Sequence, residues 1–190
     1  MFRLRSALGI AVFFLMSSGA FAQQETSPVV EVFTGYSISR QRGSDFLTGW
    51  NGQFAANIKR SFGIVADVSE HTLNEDFESF GPIVLSEARL RSLTLGLRAY
   101  NRDFERLTPF VHALFGVSRL AGKAPVSPGN FDVTEKQSFD PLTVILGGGL
   151  DVKAGGILHI RVVQLDYRYL RFDEGDSNGY RLGFGLNFAF

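Results

Sequence analysis

The sequence predicts an all-β fold, an eight-stranded antiparallel up-and-down transmembrane β-barrel. Three observations predict it. Large apolar side chains recur at every second position in eight segments of roughly 11 residues, the length a tilted strand needs to cross a bilayer. The connections between segments alternate between short and long, as in barrels with short turns at one end and longer loops at the other. Ionisable residues collect on the face opposite the apolar one, the arrangement expected of a polar lumen.

The N-terminus bears on compartment rather than fold. Arg3 and Arg5 are followed by an apolar run from Ala7 to Met16 and by the small-x-small sequence Ala20-Phe21-Ala22. That order predicts a signal peptide over residues 1–22, cleaved after Ala22, and a barrel domain over residues 23–190. The apolar run is too short to span about 30 Å of hydrocarbon as an anchor helix.

The segments follow in order. Val29 to Ser39 carries Val30, Val32, Tyr36 and Ile38 on its apolar face. Gly49 to Lys59 carries Trp50, Phe54, Ala56 and Ile58 against Asn51, Gln53, Asn57 and Lys59. Ser61 to His71 sets Phe62, Ile64, Ala66 and Val68 against Gly63, Asp67, Ser69 and His71. In Leu90 to Tyr100, Leu93, Leu95, Leu97 and Ala99 oppose Ser92, Thr94, Gly96 and Arg98. Thr108 to Ser118 is mixed: Val111, Ala113, Phe115 and Val117 oppose Phe110, His112, Leu114, Gly116 and Ser118. Pro141 to Val152 sets Leu142, Val144, Leu146, Leu150 and Val152 against Thr143, Gly147, Gly149 and Asp151. Ile157 to Leu170 changes phase near Val162–Val163, which a β-bulge explains by absorbing one extra residue. Asn178 to Phe190 alternates strictly, with Tyr180, Leu182, Phe184, Leu186, Phe188 and Phe190 on one face.

Three connections are expected to be short: around Arg60, from Asn101 to Leu107, and from Lys153 to Gly156. Four are expected to be long polar loops: Arg40 to Thr48, Thr72 to Arg89, Arg119 to Asp140, and Arg171 to Ser177. An even strand count then puts both termini in the periplasm. Lys123 and Lys136, in the longest loop, are the expected protease sites.

Alternation alone does not decide whether the apolar face meets lipid or a core, since a soluble lipocalin-like barrel is apolar inside. Three features favour lipid. The opposite face holds Glu31, Asp67, Arg98, Asp151, Arg161, Asp166, Arg168 and Arg181, which can pair within a closed lumen. Tyr36, Trp50, Tyr169 and Tyr180 lie near the loop end and Phe62 and Phe188 near the turn end, like two interfacial girdles. The last strand runs to Phe190 without a polar tail.

The terminal Leu186-Asn187-Phe188-Ala189-Phe190 resembles the C-terminal strand signal of bacterial outer-membrane barrels. Glu31-Val32-Phe33-Thr34-Gly35-Tyr36-Ser37 resembles the opening strand of the small OmpA-like or OmpX-like barrels, and Asp166-Tyr167 fits the same pattern. The resemblance covers residues 23–190. It implies an integral outer-membrane protein, exported through a cleaved signal peptide and assembled by the barrel-assembly machinery, which would read the strand ending at Phe190. No peptidoglycan-binding domain follows Phe190, so cell-wall anchoring is not implied.

Composition excludes several chemistries. There are no cysteines, hence neither disulfides nor thiolate sites. The 19 basic and 19 acidic side chains balance, and loss of Arg3 and Arg5 leaves a slight acidic excess, which argues against nucleic acid. Lipid A deacylase barrels place a serine two residues after a histidine. Here Leu73, Leu114 and Arg161 follow His71, His112 and His159 at that spacing, so no catalytic residue is expected. Gly147-Gly148-Gly149 lies within a strand and lacks the helix and lysine of a phosphate loop. Its glycines, with Gly63, Gly96, Gly116, Gly183 and Gly185, read as room for long lumen side chains. The acidic runs Glu75-Asp76-Phe77-Glu78 and Asp173-Glu174-Gly175-Asp176 lack an EF-hand pattern, so no metal and no cofactor are expected.

The preferred reading is therefore a non-enzymatic outer-membrane barrel with displayed loops, a structural or surface-interaction role, and a polar, largely plugged lumen. Its partners would be outer-membrane lipid, the assembly machinery and an extracellular partner the sequence does not name. The alternatives are a narrow ion-passing channel, a lipid A-modifying barrel enzyme and a soluble ligand-binding barrel.

Overall fold

The computed structural model describes residues 28–43, 46–72, 78–80, 83–125, 134–173 and 175–190, and the predicted signal peptide lies outside them. The described strands are β1 (Val30–Gln41), β2 (Phe46–Lys59), β3 (Phe62–Thr72), β4 (Glu78–Phe80), β5 (Ile83–Tyr100), β6 (Leu107–Pro125), β7 (Thr134–Phe139), β8 (Leu142–Gly155), β9 (Leu158–Phe172) and β10 (Gly175–Ala189). Each of the eight segments read from the alternation is one of the longer strands. They pair antiparallel in the circular order β1-β2-β3-β5-β6-β8-β9-β10. The seam between β1 and β10 runs from Glu31 opposite Ala189 to Gln41 opposite Gly179. Val29 N–H donates to Phe190 O at 2.6 Å and Phe190 N–H to Val30 O at 2.8 Å, so no strand edge is left open along the seam.

The phase change falls where the sequence places it. Gly183 stands opposite Gln164 and Gly185 opposite Arg161, while on the other side Leu150 and Asp151 stand opposite Val163 and Arg161. Both neighbours therefore register an extra residue at Val162–Val163. Both valines face outward, and Arg161 and Gln164 both face the lumen.

The loop end differs from the sequence expectation. Strands β5 and β6 continue past the bilayer length and remain paired as far as Ser86 opposite Lys123. Short β4 pairs with the outer part of β5, and β7 with the outer part of β6. The expected loop from Arg119 to Asp140 is thus largely a β-ribbon, in which Lys123 and Lys136 stand opposite each other. The break between β7 and β8 comes at Asp140-Pro141, because proline has no N–H for the ladder. Strand β9 runs to Phe172 and β10 starts at Gly175, so the expected fourth loop from Arg171 to Ser177 is mostly strand. Backbone pairing is favourable wherever two antiparallel chains stay adjacent, and hydropathy does not mark where it ends. At the turn end, Gly156 has φ 51°, a left-handed conformation that a glycine takes without steric cost.

The two faces are as the alternation predicts. Leu95, at 59% exposure, typifies the outward surface, which also carries Phe54, Leu93, Phe115, Leu146, Leu165, Leu182 and Phe184. Tyr36 and Trp50 stand opposite each other on β1 and β2. Tyr167 and Tyr180 meet edge to face at 5.6 Å. Among the described residues no helix is long and apolar enough to cross a membrane.

Candidate functional site

Chemistry-bearing residues converge in the lumen, and all eight barrel strands contribute to it. Glu31, Asp67, Arg98, Asp151, Arg161, Asp166, Arg168 and Arg181, read from the sequence as inward-facing, are all buried. The fold brings them together because inward positions on neighbouring strands fall in register. Arg181 stands opposite Asp166 and Gln53 opposite Asp67.

Arg181 is the central cation. Its Nε donates to Asp166 Oδ2 at 2.8 Å. Its Nη1 and Nη2 reach across the lumen to Asp67 Oδ1 and Oδ2 at 3.0 and 2.9 Å. The fork of the guanidinium matches the carboxylate, which makes this a bidentate pair. Asp166 also meets His112 Nε2 at 2.9 Å and accepts from Gln164 Nε2 at 2.7 Å. Asp67 accepts from Gln53 Nε2 at 2.8 Å.

A second centre lies nearer the turn end. Arg161, at 0% exposure, donates through Nε and Nη2 to Asp151 at 2.7 and 3.0 Å, and through Nη1 to Gln53 and Gln164 at 2.6 and 2.7 Å. Its guanidinium lies between the rings of Phe33 and Phe110, 4.1 and 4.3 Å from their centroids. Such cation–π contact is strongest where water is excluded. Arg98 stacks on Phe110 at 4.5 Å and donates to Gln53 Oε1. Glu31 is held by Arg102, by Asn57 Nδ2 at 2.9 Å and by Asn187 Nδ2 at 3.2 Å.

Not every charge finds an opposite one. Among the described residues, neither Arg98 nor Arg168 forms an ion pair. Arg168 spans from β9 to Ser69 of β3 at 3.4 Å, and its Nε and Nη1 carry no hydrogen bond. The pairing expected of opposite charges in the lumen therefore does not extend to these two. The four carboxylates are shared among Arg161, Arg181 and Arg102, and the last of these enters from a turn.

The glycines act as the sequence suggests, with different occupants. A Cβ on Gly147 would lie 2.0 Å from Asp166 Oδ1, and one on Gly149 would lie 2.7 Å from the Phe110 ring. The space they leave is filled by a carboxylate and by the ring under Arg161, rather than by an arginine. Gly148 lies on the opposite face of the strand.

Sequence reasoning missed three features. At the loop end, Leu47, Ala88, Leu90, Leu120, Leu170 and Phe172 point inward and pack together with Phe139, forming an apolar cap over the polar lumen. Carrying the alternation two residues past each expected strand end reaches most of them. Ala55, Val65, Leu114 and Ile145 form a smaller apolar patch within the lumen. Third, Ser37 Oγ and His71 Nε2 meet at 2.8 Å although 34 residues separate them. That contact is the one a nucleophile makes with its base, but His71 Nδ1 has no orienting partner and both residues are fully buried. Of the acidic runs, residues 73–77 and Glu174 lie outside the described residues, Asp173 is in a turn, and Gly175 and Asp176 open β10.

No family model matches the sequence, and no curated protein does. Solved structures do. Ail, the attachment invasion locus protein of Yersinia pestis, in complex with the heparin analogue sucrose octasulfate, is 18% identical, with a TM-score of 0.56 over 86% of this chain and 100% of Ail. Neisserial surface protein A is 12% identical, with a TM-score of 0.59 over 87% of this chain and all of its own. The outer membrane protein OprG of Pseudomonas aeruginosa is 12% identical, with a TM-score of 0.53 over 90% and 99% of the two chains. With its closed circuit of eight strands, apolar exterior and charged interior, this chain has the fold of the small eight-stranded outer-membrane β-barrels.

Proposed function

We propose that this protein is a non-enzymatic integral barrel of the bacterial outer membrane. Its loops face outward for a structural or surface-interaction role, and its lumen is largely plugged by its own side chains. One observation carries the reading. Long charged and amide side chains from every barrel strand are buried in one hydrogen-bonded lumen network, while the large apolar residues face outward. An apolar exterior of this extent suits lipid and not water. An eight-stranded barrel has an interior just wide enough for side chains to fill, which supports a plug over an open pore. Ail binds a heparin analogue in its crystal structure. A surface-interaction role here follows that precedent in kind, without a named partner. Export through cleavage after Ala22, and assembly through the strand ending at Phe190, belong to the same reading.

Fractionation of the expressing cell tests it. The folded chain should sediment with outer membranes and require detergent for extraction, with an intact mass lacking Met1 to Ala22. Recovery as a soluble periplasmic protein would refute the placement. A narrow channel is the second reading. It is favoured by Arg98 and Arg168, whose charges are not locked in ion pairs among the described residues.

A further inference from the structure

The outward apolar stripe ends in arginine on four strands, always at the loop end. Arg40 follows Ile38 on β1, Arg91 precedes Leu93 on β5, Arg119 follows Val117 on β6, and Arg171 follows Tyr169 on β9. Arg91 and Arg119 stand directly opposite each other in the β5–β6 register. Like charges placed so are destabilising unless something negative lies between or beside them. Each has one acidic neighbour on its outer flank. Arg91 Nε donates to Glu70 at 2.8 Å, a carboxylate that Arg89 also approaches at 3.6 Å. Arg119 donates through Nε and Nη2 to Asp140 at 2.8 and 3.0 Å. Among the described residues, three cations thus meet two anions across β3, β5, β6 and the break before β8, and both facing guanidinium groups keep further N–H donors.

We propose that Arg91 and Arg119 together bind the phosphate of an outer-leaflet lipid. Depth supports this. Leu93 and Val117, the next outward pair below, are roughly 7 Å deeper along the strands. Trp50 stands opposite Glu70 and marks the headgroup level. Chemistry supports it too. A phosphate offers several anionic oxygens to two forks at once, and arginine suits such multidentate contact. The ligand is a lipid and not a free anion because the site continues downward into the exposed Leu93, Leu95, Phe115 and Val117, a surface for acyl chains. The inference rests on the membrane placement proposed above.

Native mass spectrometry of the folded full chain tests it, with bisphosphorylated lipid A and the same lipid stripped of both phosphates as probes. The wild-type barrel should retain the phosphorylated lipid roughly tenfold better, the scale of one charge-assisted contact. The double variant Arg91→Gln, Arg119→Gln should lose that preference while still migrating as a folded barrel. Arg60→Gln, at the turn end, should keep it. An unchanged preference in the double variant, or none in the wild type, would overturn the proposal. Displacement of the lipid by equimolar inositol hexakisphosphate would overturn it as well, assigning the site to soluble anions. Failure of the chain to insert into bilayers at all would instead strike the placement.

Discussion

Asp166 shows how much one carboxylate does in this lumen. It is fully buried and takes contacts from Arg181, His112 and Gln164. Asp166→Asn keeps the shape, but it removes the charge that two-carboxylate sharing of Arg181 depends on. Breaking a buried pair from one side costs about 3–5 kcal/mol, because it leaves a buried charge uncompensated. Asp166→Asn and Arg181→Met should both destabilise the barrel on that scale in equilibrium urea unfolding from lipid vesicles. Arg168→Met should cost less, since Arg168 makes a single long hydrogen bond to Ser69. An equal loss at Arg168 would mean that its charge is held as tightly as that of Arg181. Gly147→Ala tests packing at the same point. Its new methyl would meet Asp166 Oδ1 and the Leu165 carbonyl, and overpacking of this kind costs about 1–3 kcal/mol. Gly155→Ala is the control, with nothing within 4 Å of the added atom. The facing of these residues was legible in the sequence, because period two assigns a side to every strand position. The partners were not, because strand stagger decides which inward residues share a level. Arg102 shows the limit: it sits in a turn, where alternation says nothing, yet it reaches Glu31 inside.

Among the elements, β10 closes the barrel and carries the plainest alternation. Leu186 faces outward, and a charge there at membrane depth costs about 2–4 kcal/mol. Leu186→Arg should therefore impair assembly, read as loss of the faster-migrating unheated band in gel electrophoresis. Asn187→Lys should be milder, because Asn187 donates to Glu31 and Asp151 and an ammonium there would sit beside both carboxylates. The reverse order would invert the inner and outer faces. The bulge in β9 supplies a second test. Deleting Val163 leaves Arg161 and Gln164 on one face and should permit folding. Deleting Leu146 from β8 forces a slip that turns inward residues to lipid, and should block it. Strand existence and the bulge were readable because both faces are chemically distinct over the membrane depth. Strand ends at the loop side were not, because above the bilayer the outward residues become polar while pairing continues. That is why β5 and β6 run on as ribbons and why the inward cap of Leu90, Leu120 and Leu170 escaped notice.

At the scale of the molecule, the barrel has three levels from the turn end outward. Arg161 with Asp151 is packed between aromatic rings, Arg181 joins Asp67 and Asp166, and the apolar cluster around Leu120 lies across the outer mouth. Each level brings a different chemistry to the lumen. The central claim, that the protein fills its own lumen, is tested most directly by planar-bilayer recording of the purified, folded protein. The account predicts little or no steady conductance from the native barrel, with leak appearing only when Arg181 or Arg161 is replaced by alanine. A stable single-channel conductance carried by most inserted wild-type molecules would contradict it.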